Sequence, residues 1–292
     1  MCGDGEVRDF AVGAAREKHG LQATVAKKYG RELKLNDQIA MRHEVDEHGQ
    51  STGIVTVEIA NPGKLNAMTR KMWRELRSAF ETIQSSSALR CVVVRGLGDA
   101  FCAGGDISEY PDFRFDPVSL AAFHEDDVWG GLCAILACDV PVVVSIKGAC
   151  MGAGVEIARC CDVRLATEAA KFGAPIAKLG FPMAPKELQL VASALGGHAV
   201  RRMLLEAAIF SAQDMAAIGW CAQPLSENRL SVEVARVAQR IASLAPQAAR
   251  LNKQTLRSLA GGQRIQQPYA YADTAEHHEG IAAFLEKRAT NF

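Results

Sequence analysis

Two stretches of this sequence combine residues that let a ligand come close with a residue that can move a proton. The first is Ala100-Phe101-Cys102-Ala103-Gly104-Gly105-Asp106-Ile107, and the second is Gly148-Ala149-Cys150-Met151-Gly152-Ala153-Gly154-Val155-Glu156. Glycine allows close backbone approach and angles closed to other residues. A glycine-rich turn that opens a helix also leaves backbone N–H groups unpaired and aimed at one spot, where the helix dipole favours negative charge. Such a spot can bind a phosphate or an oxyanion. A P-loop would continue Gly-Lys-Ser/Thr, a dinucleotide site would space its glycines G-x-G-x-x-G, and a serine hydrolase would carry G-x-S-x-G. Neither stretch has any of these. By elimination, two donor loops without a nucleophile point to an oxyanion hole, with Glu156 as the carboxylate beside it. For either loop alone, tight helix–strand packing through small residues is the competing reading.

Such loops need strands before them. Residues 90–95 hold Cys91-Val92-Val93-Val94, a run fit for a buried strand, and 140–146 form a second that ends at Lys147-Gly148. Residues 54–59 alternate apolar and polar side chains as a half-buried strand does, and 162–167 read as a further strand. Thr69 is placed to cap a helix whose stripe is Met72, Trp73, Leu76, Phe80 and Ile83. Strands alternating with helices predict an α/β layered fold rather than a sandwich or bundle. The last third reads as helical: Ser211 with Asp214 marks a helix start and Gly219 a stop. Val234, Val237, Ile241 and Leu244 mark an amphipathic helix before Pro246, and Ile281, Phe284 and Leu285 mark another. Residues 1–50 are polar and offer no site, as expected of a solvated extension or oligomer arm. The chain thus divides into an extension (1–50), a core (51–225) and a helical region (226–292).

Composition narrows the function classes. Of 292 residues 49% are hydrophobic and 23% charged, with 33 Lys and Arg against 33 Asp and Glu. That is too apolar and too balanced for a disordered chain, and it lacks the basic excess of a nucleic-acid binder. No apolar run approaches the ~20 residues of a membrane span, and the first residues do not read as a secretory signal. Nine cysteines, an odd number with no CxxC pair, read as reduced thiols in a cytoplasmic protein without a metal site.

From residue 54 to the end, the sequence resembles the crotonase (enoyl-CoA hydratase/isomerase) superfamily. The resemblance is carried by Lys64-Leu65-Asn66-Ala67-Met68, AFCAGGDI, Pro141-Val142-Val143-Val144 leading into KGACMGAGVEIA, Cys161-Asp162, Phe172-Gly173, FSAQDMAAIG and EGIAAFLEKR. Each motif is weak alone; their order and spacing are specific. The resemblance implies an α/β crotonase-like spiral of ββα units, with a C-terminal helical region that builds homotrimers, often paired into hexamers. It implies an acyl-CoA thioester as substrate and no separate cofactor. By motif position the oxyanion donors are the N–H groups of Gly105 and Ala153. Substrate is expected along Lys64, Leu65, Ala103, Asp106, Ile107, Gly152, Pro175, Ile176 and Lys287, with Lys64 and Lys287 as candidates for the CoA phosphates.

Hydratases of this family use two glutamates, one to activate water at the β-carbon and one to handle the proton at the α-carbon. Glu156 matches the first. The second should follow Phe172-Gly173-Ala174-Pro175, where this chain has Ile176, which can neither accept nor donate a proton. Neither Lys178, Lys186 nor Glu187 stands at the expected position. Glu125, Asp126 and Asp127 could substitute, although such a run is more often a solvated face, and His124 is a further acid–base candidate. Cys102 and Cys150 read as packing thiols, Asp106 and Asp162 as backbone anchors. Phe113, Phe115, Trp129 and Met183 are candidate pocket walls. Two-carboxylate hydration is therefore in question. The expected activity is that of a hydratase or isomerase using Glu156. The alternatives are a malonyl-type-CoA decarboxylase using the oxyanion hole alone, or a non-catalytic acyl-CoA-binding relative.

Overall fold

The computed structural model describes residues 37–292. In chain order its elements begin β1 (Gln38–Val45), β2 (Ser51–Ala60), α1 (Arg70–Ser85), β3 (Cys91–Gly96), α2 (Pro117–Ala122), a π-helical turn (Phe123–Val128) and α3 (Trp129–Ala137). They continue β4 (Val142–Ile146), β5 (Ala149–Met151), α4 (Ala153–Cys160), β6 (Val163–Ala166), β7 (Lys171–Gly173), α5 (Pro185–Leu205), β8 (Phe210–Ser211) and α6 (Ala212–Ala217). Three helices close the chain: α7 (Glu227–Ala242), α8 (Pro246–Ala260) and α9 (Ala275–Glu286).

The α/β layering expected from the sequence is present. A five-stranded sheet runs β1-β2-β3-β4-β6, parallel except for the β1–β2 pair, and a small sheet runs β5-β7-β8. The central strands are covered on both faces. Val92 and Val94 point toward Trp73, Leu76 and Phe80 of α1 in the main core. Cys91 and Val93 point the other way, toward Leu230, Val234 and Val237 of α7. Burial on both sides explains why β3 and β4 read as unbroken apolar runs rather than alternating ones. Thr69 caps α1 by accepting the Met72 N–H at 3.2 Å. Filling the main core with Phe80 and its neighbours makes Phe80→Ala worth about 3–5 kcal/mol.

The boundary at residue 50 is corrected by β1. Residues 37–50 are not an extension: Gln38 pairs with Ala60 and Val45 with Ser51 across an antiparallel hairpin. An edge strand keeps polar residues such as Arg42, His43 and Glu44 on its outside, so its composition resembles that of a solvated tail. Residues 1–36 of the expected extension lie outside the described residues. The helix bearing Val234 and Val237 also ends sooner than its spacing predicts, at Ala242, leaving Leu244 exposed.

Parallel neighbours β3 and β4 release both glycine loops at the same C-terminal end of the sheet, where α/β folds bind ligands. The loops are stitched together there. Phe101 N–H donates to Lys147 O at 2.8 Å, Cys102 N–H to Ala149 O at 2.9 Å, and Met151 N–H to Cys102 O at 2.8 Å. At the far end of the chain, α8 has no fully buried residue and is held by polar arms such as Lys253 to Asp162 at 2.7 Å. On α9, Phe284 is 82% exposed and Ile281 and Leu285 are exposed beside it in the single chain.

Candidate active site

The second loop turns into α4 at Gly152, whose φ of 47° and ψ of −110° suit a residue without Cβ. The next residue but one, Gly154, packs against the first loop; a Cβ there would stand 2.6 Å from Cys102 O. Ala153 is therefore the first residue of α4, and its N–H precedes the helix's own hydrogen bonds. In the first loop, Met68 N–H donates to Gly104 O and Asp106 N–H to Met68 O, both at 2.8 Å. That bridge fixes Gly105 between them. Among the described residues neither Gly105 N–H nor Ala153 N–H has a protein acceptor. Both residues line one cavity of about 290 Å³.

Glu156 lines the same cavity from the first turn of α4 and is 5% exposed. Its carboxyl finds no hydrogen-bond partner among the described residues. Burial, and secondarily the nearby Glu187 carboxylate, hold its pKa well above the usual carboxylate range.

Glu187 is the residue that sequence reasoning passed over. It stands in the first turn of α5, behind Pro185, is 5% exposed, and lines the cavity with Glu156. Its Oε1 lies 2.7 Å from Nδ1 of His124. His124 reaches it because residues 123–128 form a π turn, which widens the helix and re-aims its side chains. Ile176 does line the cavity, as its motif position implied, but a second carboxylate enters from another element. The only local clue was a Glu just inside a Pro-initiated helix.

The acidic run after His124 does other work. Asp127 is buried between two guanidinium groups, at 2.7 Å from Arg70 Nε and 2.6 Å from Arg74 Nε. Glu125 pairs with Lys186 near the surface, and Asp126 is exposed. Of the other expected site residues, Ala103, Ile107, Gly152 and Pro175 line the cavity, whereas Lys64, Leu65, Asp106 and Lys287 do not. Lys64 Nζ is held by Asp106 at 2.6 Å and Ser108 at 2.8 Å. Leu65 supports the first loop by accepting Ala103 N–H at 3.0 Å. Lys287 caps α9 with a left-handed backbone. Asp162 accepts the Val142 N–H at 2.7 Å. Cys102 and Cys150 are fully buried and joined by an isolated parallel β-bridge, and burial pushes the Cys102 thiol up to about 12.

The cavity wall is mainly apolar and aromatic: Trp73, Phe123, Val128, Met151, Leu179, Phe181 and Met183. Of the candidate walls, Met183 is in place. Phe113 is buried behind Tyr110 and Phe123, Trp129 stacks under Lys186, and Phe115 is 87% exposed. Tyr110 and Arg114, which the sequence did not single out, also line it. The Tyr110 hydroxyl packs so closely on Gly105 that a Cβ at Gly105 would overlap it.

Residues 49–292 match the family model described as Enoyl-CoA hydratase/isomerase. The chain belongs to this family. Its relatives there include the probable enoyl-CoA hydratase echA8 of Mycobacterium bovis, 29% identical over 253 residues that cover 84% of this chain and 96% of the relative. The mitochondrial methylglutaconyl-CoA hydratase of Mus musculus is 27% identical over 281 residues, 90% of this chain and 86% of the relative. Among solved structures, an enoyl-CoA hydratase/carnithine racemase from Magnetospirillum magneticum superposes with a TM-score of 0.79 at 35% identity, covering 82% of this chain and 92% of that one. The fold of this enoyl-CoA hydratase/isomerase family member is thus the crotonase-type α/β fold that its motifs implied, followed by C-terminal helices. Among the described residues no helix is long and apolar enough to cross a membrane.

Proposed function

We propose that this family member acts on an enoyl-CoA thioester as a hydratase or isomerase, with Glu156 and Glu187 sharing the proton transfers. The observation that carries this reading is a pair of buried carboxylates lining one cavity with two unpaired backbone donors. The thioester oxygen would accept from Gly105 and Ala153 N–H. Those bonds strengthen as enolate charge builds, and one such donor is typically worth about 10²–10³ in rate. Two carboxylates in a low-dielectric cavity do not both ionise readily. Glu156, without a partner, keeps its proton; Glu187, hydrogen-bonded by His124, is the acceptor. In hydration Glu187 takes a proton from water as its oxygen bonds to the β-carbon, and Glu156 delivers its proton to the α-carbon of the enolate. This exchanges the role that motif position gave Glu156, because burial favours its protonated form. CoA arrives as part of the substrate, and no further cofactor enters these steps.

Ile176 opened the alternatives of a malonyl-type-CoA decarboxylase using the oxyanion hole alone and of a non-catalytic relative; a second buried carboxylate at Glu187 supports the two-carboxylate reading over them. The exposed apolar face of α9 supports assembly into a trimer or hexamer, and eight free cysteines among the described residues suit a reducing, cytoplasmic setting. The deciding experiment is turnover of a panel of enoyl-CoA thioesters by the purified chain, with Glu156→Gln as control. No turnover of any of them, or an undiminished rate in the variant, would remove this mechanism.

A further inference from the structure

Arg114 is the one Lys or Arg among the described residues that line the cavity. Its guanidinium sits between two aromatic rings, with Cζ 4.4 Å from the Tyr110 ring centre and 3.7 Å from that of Phe181. Contact of this kind with aromatic rings attracts a guanidinium but satisfies none of its N–H donors. Among the described residues, no carboxylate lies within ion-pair distance of it and no acceptor within hydrogen-bond distance of its side chain. Glu187 is near enough to act on it electrostatically, yet Glu187 spends its close contact on His124. Burial lowers the Arg114 pKa, a sign that the cation stands partly out of water. Its side-chain donors are not among the buried unsatisfied polar atoms, so they stay open to solvent in the cavity and free to meet a ligand.

The position of Arg114 narrows the ligand. Tyr110 touches Gly105 with its hydroxyl and Arg114 with its ring face. Arg114 therefore stands one tyrosine ring away from the expected thioester oxygen. A planar anion presented there matches the guanidinium fork in two parallel hydrogen bonds. We infer that Arg114 receives a carboxylate carried by the acyl group a few bonds beyond the thioester carbon, so that the substrate is the CoA thioester of an unsaturated dicarboxylic acid. This rests on the reading of the cavity as an enoyl-thioester site.

The test compares glutaconyl-CoA with crotonyl-CoA, which share the conjugated thioester and differ by the terminal carboxylate. Wild type should prefer glutaconyl-CoA in kcat/KM. Arg114→Met keeps the apolar stem and removes the fork. A charge-assisted hydrogen bond is worth about 1.5–3 kcal/mol, so the variant should lose roughly 10- to 150-fold more with glutaconyl-CoA than with crotonyl-CoA. Arg114→Lys, which keeps charge without the fork, should recover only part. Equal losses with both thioesters would overturn the proposal, because Arg114 would then serve a CoA phosphate or the carboxylate pair. No wild-type preference would overturn it as well. Binding of the saturated analogues glutaryl-CoA and butyryl-CoA, measured by calorimetry, separates the two readings. A glutaryl preference lost in Arg114→Met, without turnover, would keep this inference and sink the enzymatic one; binding without preference would sink this inference alone, and no binding would sink both.

Discussion

Glu187→Gln removes one charge and one proton acceptor from the cavity while keeping the side chain's shape. Gln can still accept from His124 Nδ1 across the 2.7 Å contact, so the π turn should keep its place. A positioned general base contributes about 10²–10⁴ in rate, which is roughly 2.7–5.4 kcal/mol at 1.36 kcal/mol per tenfold. The expected result is a loss of that size in kcat on an enoyl-CoA substrate, with thermal stability largely unchanged because the side chain's shape and its contact with His124 are kept. The pH profile gives a second reading. With Glu156 as proton donor, activity falls as pH rises through its raised pKa. Its two causes are burial and the Glu187 charge, in that order. Glu187→Gln removes the second, so the falling limb should move to lower pH and not to higher. Adding Ile176→Glu returns a carboxylate to another wall of the same cavity and should recover part of the loss. Steady-state rates across pH, followed by loss of the conjugated thioester absorbance, measure all of this. A folded Glu187→Gln with undiminished kcat, or with a limb that stays in place, would refute the assignment.

Three further outcomes follow from the geometry. Glu156→Gln should stabilise the fold increasingly as pH rises above the ordinary carboxylate value of 4.5. A raised native pKa favours the native state below the unfolded pKa and loses that advantage as pH climbs through the native one; melting curves at acidic and alkaline pH check the sign. Gly105→Ala should displace Tyr110 and lower kcat by about 10²–10³ through the disturbed oxyanion donor. Gly105→Ala with Tyr110→Phe should regain much of it, since Tyr110 Cζ would stand 3.3 Å from the new Cβ; no rescue would mean that Tyr110 is not the obstacle. Asp127→Asn weakens two pairs to half-exposed arginines, Arg70 and Arg74, and should cost about 1–3 kcal/mol, read as a lower Tm with catalysis largely retained; unchanged stability would contradict the anchoring role.

Local order carried much of this molecule into plain view. The glycine loops, Glu156 in the first turn after them, the Thr69 cap and the stripe from Met72 to Ile83 are short-range patterns, because backbone angles and helical or strand periodicity act over a few residues. Central strands β3 and β4 were legible for the same reason. Edge strand β1 was not, since one face in water permits the polar composition of a tail. The π turn left no pattern either, as it differs from an α-helix only by one inserted residue.

The acid–base pair marks the division most clearly. By itself the sequence determined that two donor loops and one glutamate stand together, since a single stretch from Gly148 to Glu156 contains the second loop and its carboxylate. It could not assign a partner carboxylate, because motif position pointed to Ile176. Only the tertiary structure brought Glu187 of α5 against His124, 63 residues earlier in the chain, and set Arg114 between two rings on the same wall. Contacts between side chains so far apart in sequence depend on where whole helices pack, and that is settled by the shared core rather than by any residue's neighbours in the chain.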